Sequence, residues 1–148
     1  MNPENIETIK QIKHQFMVYR NGIVADTLRD AEMPYHVIFG LQLPQLAQIA
    51  RSVAPSLSLA NDLWADDKVR ESRLLACYLF PKESITLEQA LALARSVQTV
   101  EEADIICFRL LRYLPFAEQL VAEIPVGTDN PSVKYCATAL RRNLDAMA

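Results

Sequence analysis

Glycine is nearly absent from this sequence. Only Gly22, Gly40 and Gly127 occur in 148 residues. A phosphate-cradling loop needs several closely spaced glycines, and a nucleophile elbow needs one on each side of its serine. Both are therefore excluded. Histidine is as scarce. His14 and His36 have no carboxylate or serine at a telling spacing, so they read as surface or hydrogen-bonded structural residues. Cys77, Cys107 and Cys136 form no CxxC and have no histidine nearby in sequence. An odd count in apolar stretches reads as buried, reduced thiols, so neither a metal nor a cofactor is expected.

Long hydrophobic runs are also missing. No stretch of about 18 apolar residues lacks charge, which argues against a membrane span. The opening residues, MNPENIETIK, carry acids early and no apolar core. That pattern is unlike a secretory leader, and a cytoplasmic location is expected. Nor is there an excess of positive charge: 15 Lys and Arg face 18 Asp and Glu, for a net charge of −3. A dedicated DNA-binding domain is usually basic, because phosphate neutralisation drives its affinity. The distribution is uneven, however. Residues 68–98 carry Lys68, Arg70, Arg73, Lys82 and Arg95 against Glu71, Glu83 and Glu88, and the sign reverses in residues 99–148. A local basic strip is compatible with this balance.

What is present is an apolar helical pattern. Hydrophobic residues make up 51% of a chain of one-domain length, so residues 1–148 are expected to form a single domain with a sizeable core. Apolar residues recur at three- and four-residue spacing without strand alternation, which predicts an all-α fold. Asn2 and Pro3 open a first helix over 3–20, ended by Asn21-Gly22. A second covers 23–32. MPYHVIFGLQ connects it to a helix that starts at Pro44 and ends before Pro55. A fourth covers 57–65, and a fifth runs from Lys68 to Phe80, stopped by Pro81. Thr86 to Gln89 and Thr99 to Glu102 each read as a capping box opening a helix. Pro115 opens an eighth helix to about 124. Asn130-Pro131 caps a last one to about Asp145.

An internal repeat is visible in the spacing. The cysteines lie 30 and 29 residues apart, and the prolines ending CYLFP and RYLP are 34 apart. Helix starts near 68, 100 and 131 share the same period. Units of this length, each two antiparallel helices, are the pattern of a helical repeat of the HEAT type, though somewhat short for it. Such pairs stack into a right-handed solenoid, because one pair cannot bury its apolar faces alone.

Two segments carry a family resemblance. FGLQLPQLAQIAR (39–51) and ANDLWADDKVRESRLLACYLFP (60–81) together resemble the AlkD-like family of HEAT-like DNA alkylation-repair proteins. The matching residues are Phe39, Gly40, Pro44, Ile49, Ala50, Leu63, Trp64, Arg70, Glu71, Arg73 and Ala76. The resemblance spans about residues 33–125, and most of it is scaffold. Trp64, the only tryptophan, is expected to pack at a junction of helices rather than stack on a base. Arg73 is open to two readings, a contact with a neighbouring helix or a phosphate contact.

Family members excise cationic alkylated bases by cleaving the glycosidic bond. A carboxylate must stabilise positive charge developing on the sugar, aromatic faces attract the cationic lesion, and basic groups hold phosphates. The resemblance implies that Asp104, in TVEEADIICFRLL, is the catalytic carboxylate. The family's aromatic residue four positions earlier is Val100 here. Its Trp-x-x-Arg phrase corresponds to Val133-Lys-Tyr-Cys136. The arginine that usually follows the proline-started segment is Ala47. The expectation is a DNA alkylation-repair-like protein with glycosylase activity lost or reduced. It would bind the backbone of double-stranded DNA through Arg70, Arg73, Arg95, Arg109 and Arg112. The alternative is a protein-interaction scaffold with no role on DNA, its partner seated on a concave surface. Arg141-Arg142 reads as a solvated face or a phosphate contact. Tyr113 and Tyr135 read as core or as residues of the concave side.

Overall fold

A computed structural model of the chain describes residues 1–31 and 33–148. It is all-helical. Among the described residues there are nine α-helices and no strand. They are α1 (Ile6–Val18), α2 (Gly22–Asp30), α3 (Leu43–Arg51), α4 (Leu57–Ala65), α5 (Arg70–Leu79), α6 (Leu87–Arg95), α7 (Val100–Arg109), α8 (Ala117–Glu123) and α9 (Pro131–Met147). Short 3-10 turns lie at Pro3–Asn5, Lys82–Ser84 and Leu111–Tyr113. No helix is long and apolar enough to cross a membrane. The expected end of the second helix, Glu32, lies outside the described residues.

Local chemistry sets most of the boundaries. The Asn2 side chain accepts from Glu4 N, and the Asn130 side chain accepts from Ser132 N and Val133 N, with proline following each cap. Thr86 and Gln89 close a reciprocal capping box. The helix start expected at Thr99 is also capped. Thr99 accepts from Glu102 N, while the Glu102 carboxylate reaches back to Gln98 N. Asn21 both follows α1 and caps α2, accepting from Ile23 N and Val24 N. Helix eight begins later than Pro115, because a 3-10 turn at Leu111–Tyr113 precedes it and the chain turns before Ala117.

The chain divides into two compact units, Met1–Pro81 and Lys82–Ala148. In the first, α5 packs against α3 and α4. Leu41, Leu46, Leu63, Leu74, Leu75 and Leu79 are fully enclosed. In the second, α7 packs on α9 and α6 on α8, each two helices apart in chain order, and α8 also meets α9. Leu110, Leu111, Leu120, Ile106 and Ile124 fill that interior.

The first unit depends on a loop folded onto the start of α5. Lys68 O accepts from His36 N and Val37 N, both at 2.9 Å, and Arg70 N donates to Val37 O at 3.1 Å. Lys68 thereby lies in a turn and Val69 is extended, with Val37 and Val69 in an isolated parallel bridge. This is why α5 starts at Arg70 and not at Lys68. Immediately beyond, the Glu71 carboxylate is wholly buried. It accepts from Phe39 N at 2.9 Å, Gly40 N at 3.1 Å and Leu41 N at 3.3 Å. The Arg70 guanidinium lies 2.6 Å from the same carboxylate and donates to Leu41 O at 2.9 Å. Gly40 has φ +86°, and a Cβ there would collide with Asn21 O and lie 2.9 Å from Ala25 N. Only glycine allows α2 to approach this loop so closely.

Breaking one member of a buried, hydrogen-bonded charge pair costs about 3–5 kcal/mol. Glu71→Ala removes the acceptor of three loop amides and leaves Arg70 without its carboxylate. Urea unfolding is therefore expected to show a loss of that size, and Gly40→Ala is expected to destabilise by steric overlap at the same junction. A Glu71→Ala variant within about 1 kcal/mol of the parent would show that the clamp is not limiting.

Candidate nucleic-acid interface

Arg70 and Arg73, expected among the phosphate contacts, are interior residues, 4% and 3% exposed. Arg70 serves the Glu71 clamp. Arg73 projects from α5 towards the end of α4, where its Nη1 donates to Trp64 O at 2.9 Å. Its guanidinium carbon lies 3.6 Å from the centre of the Trp64 ring. Trp64 is itself buried and meets Phe80 edge-on at 6.5 Å. The Trp-Arg pair thus joins α4 to α5 through packing, a cation–π contact and a hydrogen bond. Neither arginine reaches solvent without opening the first unit.

The remaining sequence-predicted residues all belong to the second unit. Asp104 is exposed on α7. The Tyr135 hydroxyl, from α9, donates to Asp104 Oδ1 at 2.6 Å. The same hydroxyl accepts from Arg142 Nη2 at 2.8 Å, two turns further along the same face of α9. Arg142 also sits 5.5 Å from the Tyr135 ring centre. A hydrogen-bonded row, Arg142 to Tyr135 to Asp104, therefore links the two helices at the surface. The hydrogen bond to Asp104 raises the Tyr135 pKa above its ordinary value; the bond from Arg142 acts in the opposite sense.

One turn beyond Asp104 on the same helix stands Phe108, 49% exposed. Here begins a row of alternating rings and cations. The Arg112 guanidinium lies 3.9 Å from the Phe108 ring centre and 4.8 Å from that of Tyr113, and it donates to the Tyr113 hydroxyl at 2.7 Å. Lys82 Nζ is 3.7 Å from the Tyr113 ring centre. Arg109 lies 5.8 Å from that of Phe108. Tyr113 is 45% exposed. Neither Lys82 nor Arg112 has a carboxylate partner among the described residues. Arg95 is exposed but turned to the end of α8, donating to Glu123 O at 2.8 Å and Val126 O at 3.4 Å.

The interior backing this surface is close-packed. Cys107 and Cys136 are sequence neighbours of Phe108 and Tyr135. Both are buried thiols, with Sγ atoms 3.6 Å apart between α7 and α9. Arg141 pairs in a fork with Glu118 at 2.6 and 2.9 Å and with Asp145, so it ties α9 to α8. Its neighbour Arg142 takes a different direction and joins Asp104 through Tyr135. Phe108 and Arg142 were not singled out by sequence reasoning as part of the Asp104 neighbourhood. Phe108 carried a signal, since Val100, Asp104 and Phe108 recur every four residues along one helical face. Arg142 carried none, because its link depends on how α9 lies against α7.

Residues 23–123 match the family model described as DNA alkylation repair enzyme. Asp104, Phe108, Arg109, Arg112 and Tyr113 fall inside the match; Tyr135 and Arg142 lie beyond it. Neither the curated proteins nor the solved structures compared with the chain yield a match.

The Tyr135 phenol is expected to titrate above its ordinary 10.0. A pKa raised in the folded state favours folding while the group is protonated. The contribution is thus fully present below the unfolded value and is lost as pH rises through the folded one. Asp104→Asn removes the largest cause and leaves the lowering effect of Arg142, so the phenol should titrate at lower pH in that variant. Phenolate absorbance, with Tyr135→Phe as the subtraction blank, measures this. Identical titrations with and without the Asp104 carboxylate would show that the hydrogen bond does not form in solution.

Proposed function

Because the chain belongs to the DNA alkylation repair enzyme family, whose model matches residues 23–123, we propose that it is a DNA-backbone-binding member in which excision of cationic bases is attenuated. The observation that carries this reading is the exposed row of cations and rings beside Asp104. Lys82, Arg109 and Arg112 supply positive charge for phosphates. In the same reading the helix pairs are HEAT-like repeats of a right-handed solenoid, and the protein works in the cytoplasm. The packing of α6 on α8 and α7 on α9 supports the repeat. Arg95 contributes to phosphate binding at the flank; Arg70 and Arg73 contribute only to the scaffold.

The attenuation follows from what already occupies the rings. A cationic base gains about 0.5–1 kcal/mol from an exposed aromatic face. The faces of Phe108 and Tyr113 already hold Arg112 and Lys82 at 3.9 and 3.7 Å. A second cation brought to about 4 Å from the first meets a repulsion of about 1 kcal/mol in water-like surroundings and about 4 kcal/mol near a protein surface. Repulsion therefore matches or exceeds the attraction. Val100, 51% exposed, supplies no ring on the other side of Asp104. Asp104 retains a carboxylate, but one oxygen is held by Tyr135. Less of its charge is available to an oxocarbenium-like sugar.

Duplex DNA binding and base excision test the two halves separately. If Lys82, Arg109 and Arg112 each neutralise one phosphate, affinity falls about 40-fold between roughly 50 and 200 mM salt. Single-turnover release of 7-methylguanine or 3-methyladenine is expected to be no faster than that of Asp104→Asn. Absence of binding at low salt removes the DNA reading and favours a protein-interaction scaffold. Rapid release that disappears in Asp104→Asn overturns the attenuation and makes Asp104 the catalytic carboxylate.

A further inference from the structure

We infer that the Phe108–Tyr113 row takes unpaired DNA in preference to base-paired DNA, with bases stacked on its rings. This rests on the reading of the surface as a DNA-binding one. It adds the strand state of the nucleic acid. Phosphate binding alone accounts for Lys82, Arg109 and Arg112, but it does not require two exposed rings among them. Phe108 and Tyr113 leave nearly half of their surface in water. They lie within one segment, residues 108–113, that also holds both arginines.

Charge selects the class of ligand. The Arg112 guanidinium contacts both rings, Lys82 covers Tyr113, and neither cation is neutralised by a carboxylate among the described residues. A surface of uncompensated cations and exposed rings suits a polyanion that also offers flat apolar faces. In a duplex those faces are stacked on each other and closed to a side chain. In a single strand they are open. A cationic track interleaved with rings is how proteins hold single strands without reading their sequence, each stacked base adding to the affinity. The rings tolerate any neutral base, because every base has a π-face. They disfavour a positively charged one, because Arg112 and Lys82 are already in contact with them.

Fluorescence anisotropy with labelled oligothymidylate, and with a duplex of the same length at the same low salt, tests the inference. The full chain is expected to bind the single strand about tenfold more tightly, equivalent to one well-stacked base. Phe108→Ala should weaken single-strand binding more than duplex binding and so remove most of that difference. Phe108→Trp should restore it. Tyr113→Phe keeps the ring and should retain the preference, so a fold defect in one variant does not decide the result. Equal affinity of the parent chain for both forms overturns the inference but leaves DNA binding standing. So does a Phe108→Ala effect that is the same on both. Binding to neither form overturns both the inference and the reading on which it rests.

Discussion

The Glu71 carboxylate holds the first unit together. It is one residue into α5, fully enclosed, and it collects three successive loop amides from residues 39–41 together with the Arg70 guanidinium. A buried carboxylate is tolerable only when hydrogen bonds replace its lost water. Here the loop supplies them, and in return the loop needs no strand partner. Its position also benefits from the first turn of a helix, where negative charge is favoured. Around this point the first unit is layered: the 36–41 loop against α5, α2 against the loop at Gly40, and α4 against α5 through Trp64 and Arg73. Arginines that might have faced a phosphate are committed to this arrangement instead.

The second unit solves a different problem. Its charged and aromatic residues are mostly at the surface, on one side of α7 and the segment that follows it. Here Lys82 and Arg112 sit on rings. Such contacts are weak in water, on the order of 0.5–1 kcal/mol each. They organise the side chains without neutralising them. The division of labour explains how a chain of net charge −3 can present a local cationic surface while its remaining acids, such as Glu118 and Asp145, pair elsewhere.

Much of the helical framework is legible from local signals. Thr86 with Gln89, and Asn130 with Pro131, mark their helix starts because capping is decided within four residues. The start of α5 was not legible in this way. Lys68 and Val69 have helical neighbours, but their backbone is claimed by residues 36 and 37, some thirty positions earlier. The same limit applies to the site. Asp104 could be placed on α7 by a family pattern, yet its partner Tyr135 is 31 residues away and comes from a different helix. Arg70 was expected at phosphates because arginine is usually a surface charge, while Arg73 was open to a helix contact, the one it makes with Trp64. Burial was knowable only once Glu71 and Trp64 were seen to receive them. Tyr113 read as core or as a residue of the concave side, and its exposure was settled only by how the turn after α7 packs.

The contact between Cys107 and Cys136 has a consequence for that surface. Two thiols at 3.6 Å, both without solvent exposure, fix the separation of α7 and α9 at the level just beneath Asp104 and Tyr135. The distance between the carboxylate and the phenol is thus inherited from interior packing, which is stiff. A polar contact mounted on such a base needs only side-chain rotation to form, because the two backbones already stand at the right separation. The thiols act as a spacer, and the row of groups on the surface takes its spacing from atoms beneath it.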